Sequence, residues 1–293
     1  MHRYFEKGIP MNNRPLAAFA AIALAGALMA GCSSTPTSNP SANGGVTLVT
    51  PGTLSVCTNP PFKPMEYVDD SGNVVGFDLD MMQLVATKLG VTMNVVQTDF
   101  AQITSGAAMA AQKCDIGASS ITITDARKNA ITFSNPYFAA TQALAVKAGS
   151  GINGLADLKG KNLAVETDTT GADYANANSA QYGYSVVVFD DGGTALNAIL
   201  SGRADACLID NAIAYDFVNS NSSSTQVVTE FQTGETYGFA TMKNANGQAL
   251  ADVVNQVLAT ANSDGTYLTL YKKWINSSAT SASLPDPNAT PSS

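Results

Sequence analysis

Four hydroxyl side chains, Ser119, Ser120, Thr122 and Thr124, crowd into six positions just ahead of Asp125 and Arg127. Thr124 is predicted to N-cap a short helix with Asp125 in its first turn, where a carboxylate suits the positive end of the dipole. Arg127 falls in the same turn, which disfavours a cation by a few tenths to ~1 kcal/mol unless an anion sits close. Hydroxyls, free backbone N–H groups and a guanidinium converging on one spot would make an anion site, and a guanidinium matches a carboxylate bidentately. A solvated surface arginine beside an ordinary cap is the alternative these residues alone leave open.

Other positions that follow predicted strands extend the pattern. Asn59 and Phe62 follow a strand at 53–58, Asp99 and Phe100 one at 91–97, Glu166 through Gly171 one at 162–166, and Asp210 closes ACLID. Arg127 with the hydroxyls suits an α-carboxylate, and Asp210 suits an α-ammonium. Thr169 and Thr170 open a helix that could offer N–H groups to the carboxylate from the opposite side. Phe62 and Phe100 could sandwich a side chain. Each residue also has a plain reading, Asp210 and Thr170 as caps and Phe62 as core, but their meeting at strand ends fits a zwitterionic ligand.

The elements that must position these groups alternate. The strand at 53–58 stops at Asn59-Pro60-Pro61, and 65–68 with 74–77 form a hairpin about the turn 69–73. Leu79, Met82, Val85 and Leu89 share one face of a helix over 79–89 that Gly90 ends. A strand at 91–97, a small-residue helix at 102–112 and a strand at 114–118 complete a β-α-β-α-β order, which implies a parallel sheet covered on both faces. The order repeats through strands at 142–147, 162–166, 185–189 and 206–209 and helices at 155–158, 171–181, 194–200 and 213–219. A strand at 236–241 and helices at 248–261 and 267–275 follow. Two such units in series predict two lobes of similar build.

The chain of 293 residues begins with a segment set apart from this pattern. Residues 1–14 carry Arg3, Lys7 and Arg14, and an apolar, small-residue run ends in Gly31-Cys32, the layout of a secretory signal. Cys32 after Leu28-Met29-Ala30-Gly31 resembles the acylated first residue of a bacterial lipoprotein, with Met29 where Leu is usual. Residues 32–45, rich in Ser, Pro, Gly and Asn, read as a lipid-anchored tether. A secreted protein with an incidental cysteine is the alternative. Residues 277–293 read as a disordered tail.

Removing residues 1–31 leaves 12 basic against 22 acidic residues, a net charge of −10, which argues against nucleic acid as a partner. His2, the one histidine, leaves with the leader, which excludes histidine triads and histidine metal sites. The remaining Cys57, Cys114 and Cys207 show no CxxC spacing, so no metal or other cofactor is expected. Cys57–Cys114 is the preferred disulfide because both fall in neighbouring strands; a fully reduced set of buried thiols is the alternative.

The order of short motifs resembles family 3 of the bacterial extracellular solute-binding proteins, the polar amino-acid receptors of ABC importers. The resemblance covers about 53–275. It rests on Thr58-Asn59-Pro60-Pro61-Phe62 with Pro64-Met65-Glu66, on Gly76-Phe77-Asp78-Leu79-Asp80, and on Ser120-Ile121-Thr122-Ile123-Thr124 with Arg127. Phe133-Ser134-Asn135-Pro136-Tyr137, Gly202-Arg203-Ala204-Asp205-Ala206, Tyr237-Gly238, Asp264-Gly265-Thr266-Tyr267 and Tyr271-Lys272-Lys273-Trp274 continue it.

That resemblance implies an α/β, two-lobed fold of the type II periplasmic-binding-protein kind, each lobe a mainly parallel sheet flanked by helices. Lobe 1 would comprise 46–138 and 232–276, and lobe 2 would comprise 139–231, with hinges near 137–141 and 233–237. It implies that Arg127, with Ser120, Thr122 and Thr170, holds the ligand carboxylate, that Asp210 holds the amine, and that Phe62 packs on the side chain. The expected partners are a free amino acid and ABC permease subunits, the chain being a monomer on the outer face of the cytoplasmic membrane. Glu166 stands where the glutamine-binding relative has a lysine, and Asn59 where several relatives have aspartate. An acceptor at 166 favours a basic amino acid first and glutamine or asparagine second, unless Glu166 turns outward to a lysine such as Lys161. A sensory lipoprotein and, more remotely, a dehydratase-like enzyme using Glu166 or Glu66 are the alternatives.

Overall fold

The computed structural model describes residues 45–287, so the predicted leader, Cys32, the tether up to residue 44 and residues 288–293 lie outside the described residues. The first part of the chain supplies β1 (Thr53–Thr58), β2 (Tyr67–Val68), β3 (Val74–Val75), α1 (Phe77–Leu89), β4 (Thr92–Gln97), α2 (Phe100–Thr104), α3 (Ala107–Ala110), β5 (Ile116–Gly117), α4 (Asp125–Lys128) and β6 (Ile131–Phe133). The middle supplies β7 (Phe138–Lys147), β8 (Asn162–Glu166), α5 (Thr170–Tyr182), β9 (Ser185–Phe189), α6 (Gly192–Ser201), β10 (Ala206–Asp210), α7 (Asn211–Ser220) and β11 (Thr225–Tyr237). The chain then returns through β12 (Ala240–Met242), α8 (Ala245–Asp264) and α9 (Thr266–Trp274).

The strands form two five-stranded sheets, β4-β1-β5-β12-β6 and β11-β7-β10-β8-β9. In the first, β1 is parallel to β4 and β5, and only β12 runs against the rest. In the second, β8, β9 and β10 are parallel and only β7 runs against the rest. β1 is buried along nearly its whole length, as a strand covered on both faces must be. Phe77, Met81, Met82 and Val85 of α1 and Leu250, Val254 and Leu258 of α8 fill one side of the first sheet. Phe100, Ile103, Met109 and Ile121 fill the other, beside the Cys57–Cys114 disulfide, whose Cα atoms are 5.7 Å apart. The preferred cysteine pairing is therefore the one formed, and Cys207 is a free, buried thiol. Around the second sheet, Leu144, Leu163, Val165 and Leu208 pack with Ala172 and Ala175 of α5, and Leu196, Ile199 and Ile213 close the opposite face.

Three local features differ from the sequence reading. The helix expected at 102–112 is two short helices, α2 and α3, because Ser105-Gly106 breaks it with Gly106 at φ 76°, a left-handed conformation. The strand expected at 236–241 is split between β12 and the end of β11, which starts at Thr225 and pairs with β7 through bulges near residues 228 and 232–234. The tail read as disordered runs along the molecule up to residue 287, with Ala282 and Leu284 against the core and the Leu284 N–H donating to Asn262.

β7 carries the chain from the first sheet to the second and β11 brings it back. The two are hydrogen-bonded along their length, from Phe138↔Tyr237 to Lys147↔Thr225. The paired ribbon places the carboxyl ends of β1, β5, β8 and β10 around one space.

Candidate functional site

A small cavity lies between the two sheets. Its lining includes Asn59, Phe62, Phe100, Ser119, Ser120 and Thr122 from the first sheet's side, with Arg127 of α4, but not Asp99 or Thr124. From the other side come Glu166, Thr169, Thr170 and Asp210. The sequence reading did not place Gln142 and Ile209 there, and it named Glu66 only as an enzyme candidate.

Arg127 points inward. Thr124 caps α4 by accepting the Arg127 backbone N–H, and the guanidinium folds back over the cap. It donates at 2.9 Å to the Thr122 carbonyl and at 2.9 Å to the Asp168 carbonyl on the opposite sheet unit. Its carbon sits 5.1 Å from the centroid of the Phe100 ring, so Phe100 supports the cation from one face. Burial lowers the Arg127 pKa, against the pull of Asp210, Asp173, Glu235 and Asp168. A guanidinium has five N–H donors, and two carbonyl contacts leave others for an anion.

The hydroxyls behave differently from the expectation of a carboxylate cradle. Ser119 accepts the Asn59 N–H and donates to Glu66 at 2.7 Å, and Ser120 donates to the same carboxylate at 3.3 Å. Ser120, at φ 50°, turns its backbone N–H onto Asp78. Both serine hydroxyl protons are therefore committed to Glu66, a carboxyl group of the cavity lining that burial and nearby Asp78 raise well above the ordinary range. Thr122 and Thr170 face each other across the cleft with their hydroxyl oxygens 3.4 Å apart. Thr169 caps α5 by accepting the Ala172 N–H, so the positive end of that helix's dipole meets the cavity.

The opposite end is acidic. Asp210 occupies the N-cap position of α7 without capping it. Its carboxylate instead accepts from the Gln142 amide and the Tyr237 hydroxyl. Burial, and then Glu235, push it up to about 7. Glu166 is 4% exposed and makes no ion pair, so it does not turn outward to Lys161. Burial, then Asp210 and Asp191, push it up to about 8. Glu166 Oε2 lies against Gly192, Ile209 and Phe62; a Cβ on Gly192 would fall 2.9 Å from that oxygen. Three acceptors of the cavity lining have no donor among the described residues: Glu166 Oε2, Asn59 Oδ1 and Gln142 Oε1. Buried acceptors without donors cost ~1–3 kcal/mol each, so this lining favours a ligand rich in N–H groups.

The sheet units also touch around the cavity. Lys63 pairs with Asp216 at 3.5 Å, and a Cβ on Gly193 would fall 2.7 Å from the Pro61 ring. Gln142 was recoverable from sequence as the one long polar side chain heading the strand run QALAV. The roles of Asp78, Tyr137, Tyr237 and Glu235, which hold the site from behind, were not.

A sequence profile for bacterial extracellular solute-binding proteins, family 3, matches residues 54–277. The L-cystine-binding protein TcyJ of Escherichia coli is 30% identical over 231 residues, 78% of this chain and 85% of that protein. The ABC transporter glutamine-binding protein GlnH of Bacillus subtilis is 36% identical over 210 residues, 70% of this chain and 74% of that protein. Among solved structures, an ancestral arginine-binding protein bound to arginine superposes with a TM-score of 0.71 at 37% identity, covering 76% of this chain and 98% of that one.

Proposed function

This chain belongs to the bacterial extracellular solute-binding proteins of family 3, and from that premise we propose that it is the receptor of an ABC importer that captures a free basic amino acid. Glutamine or asparagine is the second choice of ligand. The carrying observation is the polarity of the cavity: its lining holds one cation, Arg127, the acids Asp210 and Glu166, and three acceptors without a donor among the described residues. The α-carboxylate lies against Arg127 and the N-terminus of α5, and the α-ammonium against Asp210. The side chain runs past Phe62 to Glu166 and Asn59, where a guanidinium or ammonium supplies the missing donors.

No bond cleavage is required of any residue; the work is differential binding followed by closure. The two lobes are 46–138 with 232–276, and 139–231, and the paired β7–β11 ribbon is the hinge. Arg127 to Asp168 and Lys63 to Asp216 latch the lobes together, which presents the closed form to the permease. Charge-assisted hydrogen bonds at ~1.5–3 kcal/mol each are enough for micromolar affinity, about −8 kcal/mol, after ordering costs.

Cys32, acylated after removal of 1–31, holds the monomeric receptor at the outer face of the membrane. Fatty-acid labelling that persists in Cys32→Ser would contradict that anchor. The ligand assignment is tested by calorimetry of refolded, ligand-stripped protein against a panel of free amino acids. Arginine or lysine should bind tightest, and tight binding of glutamate with none of arginine would overturn it.

A further inference from the structure

Both strands of the ribbon between the sheets reach the Asp210 carboxylate, β7 through the Gln142 amide and β11 through the Tyr237 hydroxyl. Gln142 on β7 stands opposite Asp210 in the antiparallel ladder and is 0% exposed. Its amide nitrogen donates to Asp210 and, at 3.0 Å, to Glu235 on β11. An amide NH₂ has two hydrogens, and both are directed at carboxylates; the flipped amide would set its oxygen against two anions. The orientation is therefore determined, and Oε1 faces away from the acids. That oxygen has no donor partner. Gln142 lines the cavity, and its oxygen lies 2.7 Å from where a Cβ on Gly171 would stand. A side chain at that position of α5 would collide with this oxygen, so glycine leaves it room.

We propose that Gln142 is a recognition and positioning residue of the amine end. Its Oε1 accepts a hydrogen bond from the ligand's α-ammonium beside Asp210, while its NH₂, shared by Asp210 and Glu235, ties that contact to both crossover strands. This rests on the amino-acid-binding reading above. An ammonium has three donors; Asp210 alone cannot receive them all in one direction, and the free amide oxygen takes a second. Glu235 also bears on Asp210, Arg127 and Thr170; its part in this contact is to hold the Gln142 amide by accepting from its NH₂.

The test compares two probes by calorimetry on the full-length protein: arginine, and arginine lacking only its α-amino group. Gln142→Met keeps the side chain's length and removes both polar ends. It should weaken arginine by about tenfold to a hundredfold while leaving the deaminated probe within roughly threefold, because that probe has no ammonium to lose. Glu235→Ala, on a half-buried residue and therefore the safer variant for folding, should show the same selectivity with a smaller loss. A melting curve confirms that each variant folds. Equal losses for the two probes would reduce Gln142 to a packing residue and overturn the inference, as would no loss in either variant. If the unaltered chain binds no free amino acid, the proposed function fails and takes this inference with it; that outcome is read before any variant is made.

Discussion

Glu166 offers the sharpest test of ligand class, because it is buried, unpaired and pushed up to about 8 in the ligand-free protein. At pH 7 a cationic side chain must first displace its proton, which costs about 1.4 kcal/mol for a one-unit gap. A guanidinium then makes two charge-assisted contacts at ~1.5–3 kcal/mol each. The net is at least about 1.6 kcal/mol, or roughly fifteenfold. Glu166→Gln keeps one acceptor and turns a donor toward the cation, so arginine should weaken about tenfold or more, and glutamine much less. A group held at about 8 carries roughly 0.9 of a proton at pH 7, so arginine should release about one more proton than glutamine. Calorimetry in buffers of different ionisation enthalpy reads that number directly. The affinity for arginine should also rise about tenfold per pH unit up to pH ~8. Equal proton release by the two ligands, or an arginine affinity that Glu166→Gln leaves alone, would refute the electrostatic reasoning.

Arg127→Ala should reduce affinity at least about a hundredfold, ~2.7 kcal/mol, because a buried ligand carboxylate loses its partner; Asp210→Asn should cost a comparable amount. Unchanged binding in both, by the same titration, would move the ligand elsewhere. The pH dependence of stability has a definite sign. Asp78 and Asp210 at about 7, Glu166 at about 8 and Glu66 well above its ordinary range bind more protons folded than unfolded. Their contribution is full below the ordinary carboxylate range and is lost as pH rises through the folded values. The melting temperature of the ligand-free protein should therefore fall between pH ~5.5 and ~8.5. A rise across that window would contradict the buried acids. Removing the Cys57–Cys114 bridge, which spans 57 residues, should cost about 2–4 kcal/mol in denaturant unfolding, with Cys207 left free as now.

Much of the site was legible because its chemistry sits on local signals. Strands end where Asn59-Pro60-Pro61 or a cap interrupts an apolar run, and the bounds read for β1, β8 and β9 match the structure residue for residue. In an α/β fold such ends converge, so Arg127, Glu166 and Asp210 were found without coordinates. Gln142, Glu66 and Tyr237 were not, because nothing adjacent in sequence says where a polar side chain inside a buried strand or loop finds its partner. Their partners lie 68, 53 and 27 positions away. The length of β11 was missed for a related reason: its polar sequence TQVVTEFQTGETY becomes a strand by pairing with β7.

The amino-acid sequence by itself determined the class of fold, the disulfide preferred, and Arg127 and Asp210 as the opposite charges that line the cavity. These follow from periodicity, caps and residue chemistry, which act over a few neighbouring positions. The tertiary structure alone decided which hydroxyls were already spent on Glu66, which way Glu166 turned, and that the Gln142 amide and the Tyr237 hydroxyl join the two crossover strands to Asp210. Desolvation and hydrogen-bond direction are properties of the assembled space, and no stretch of chain carries them until the sheets have closed around it.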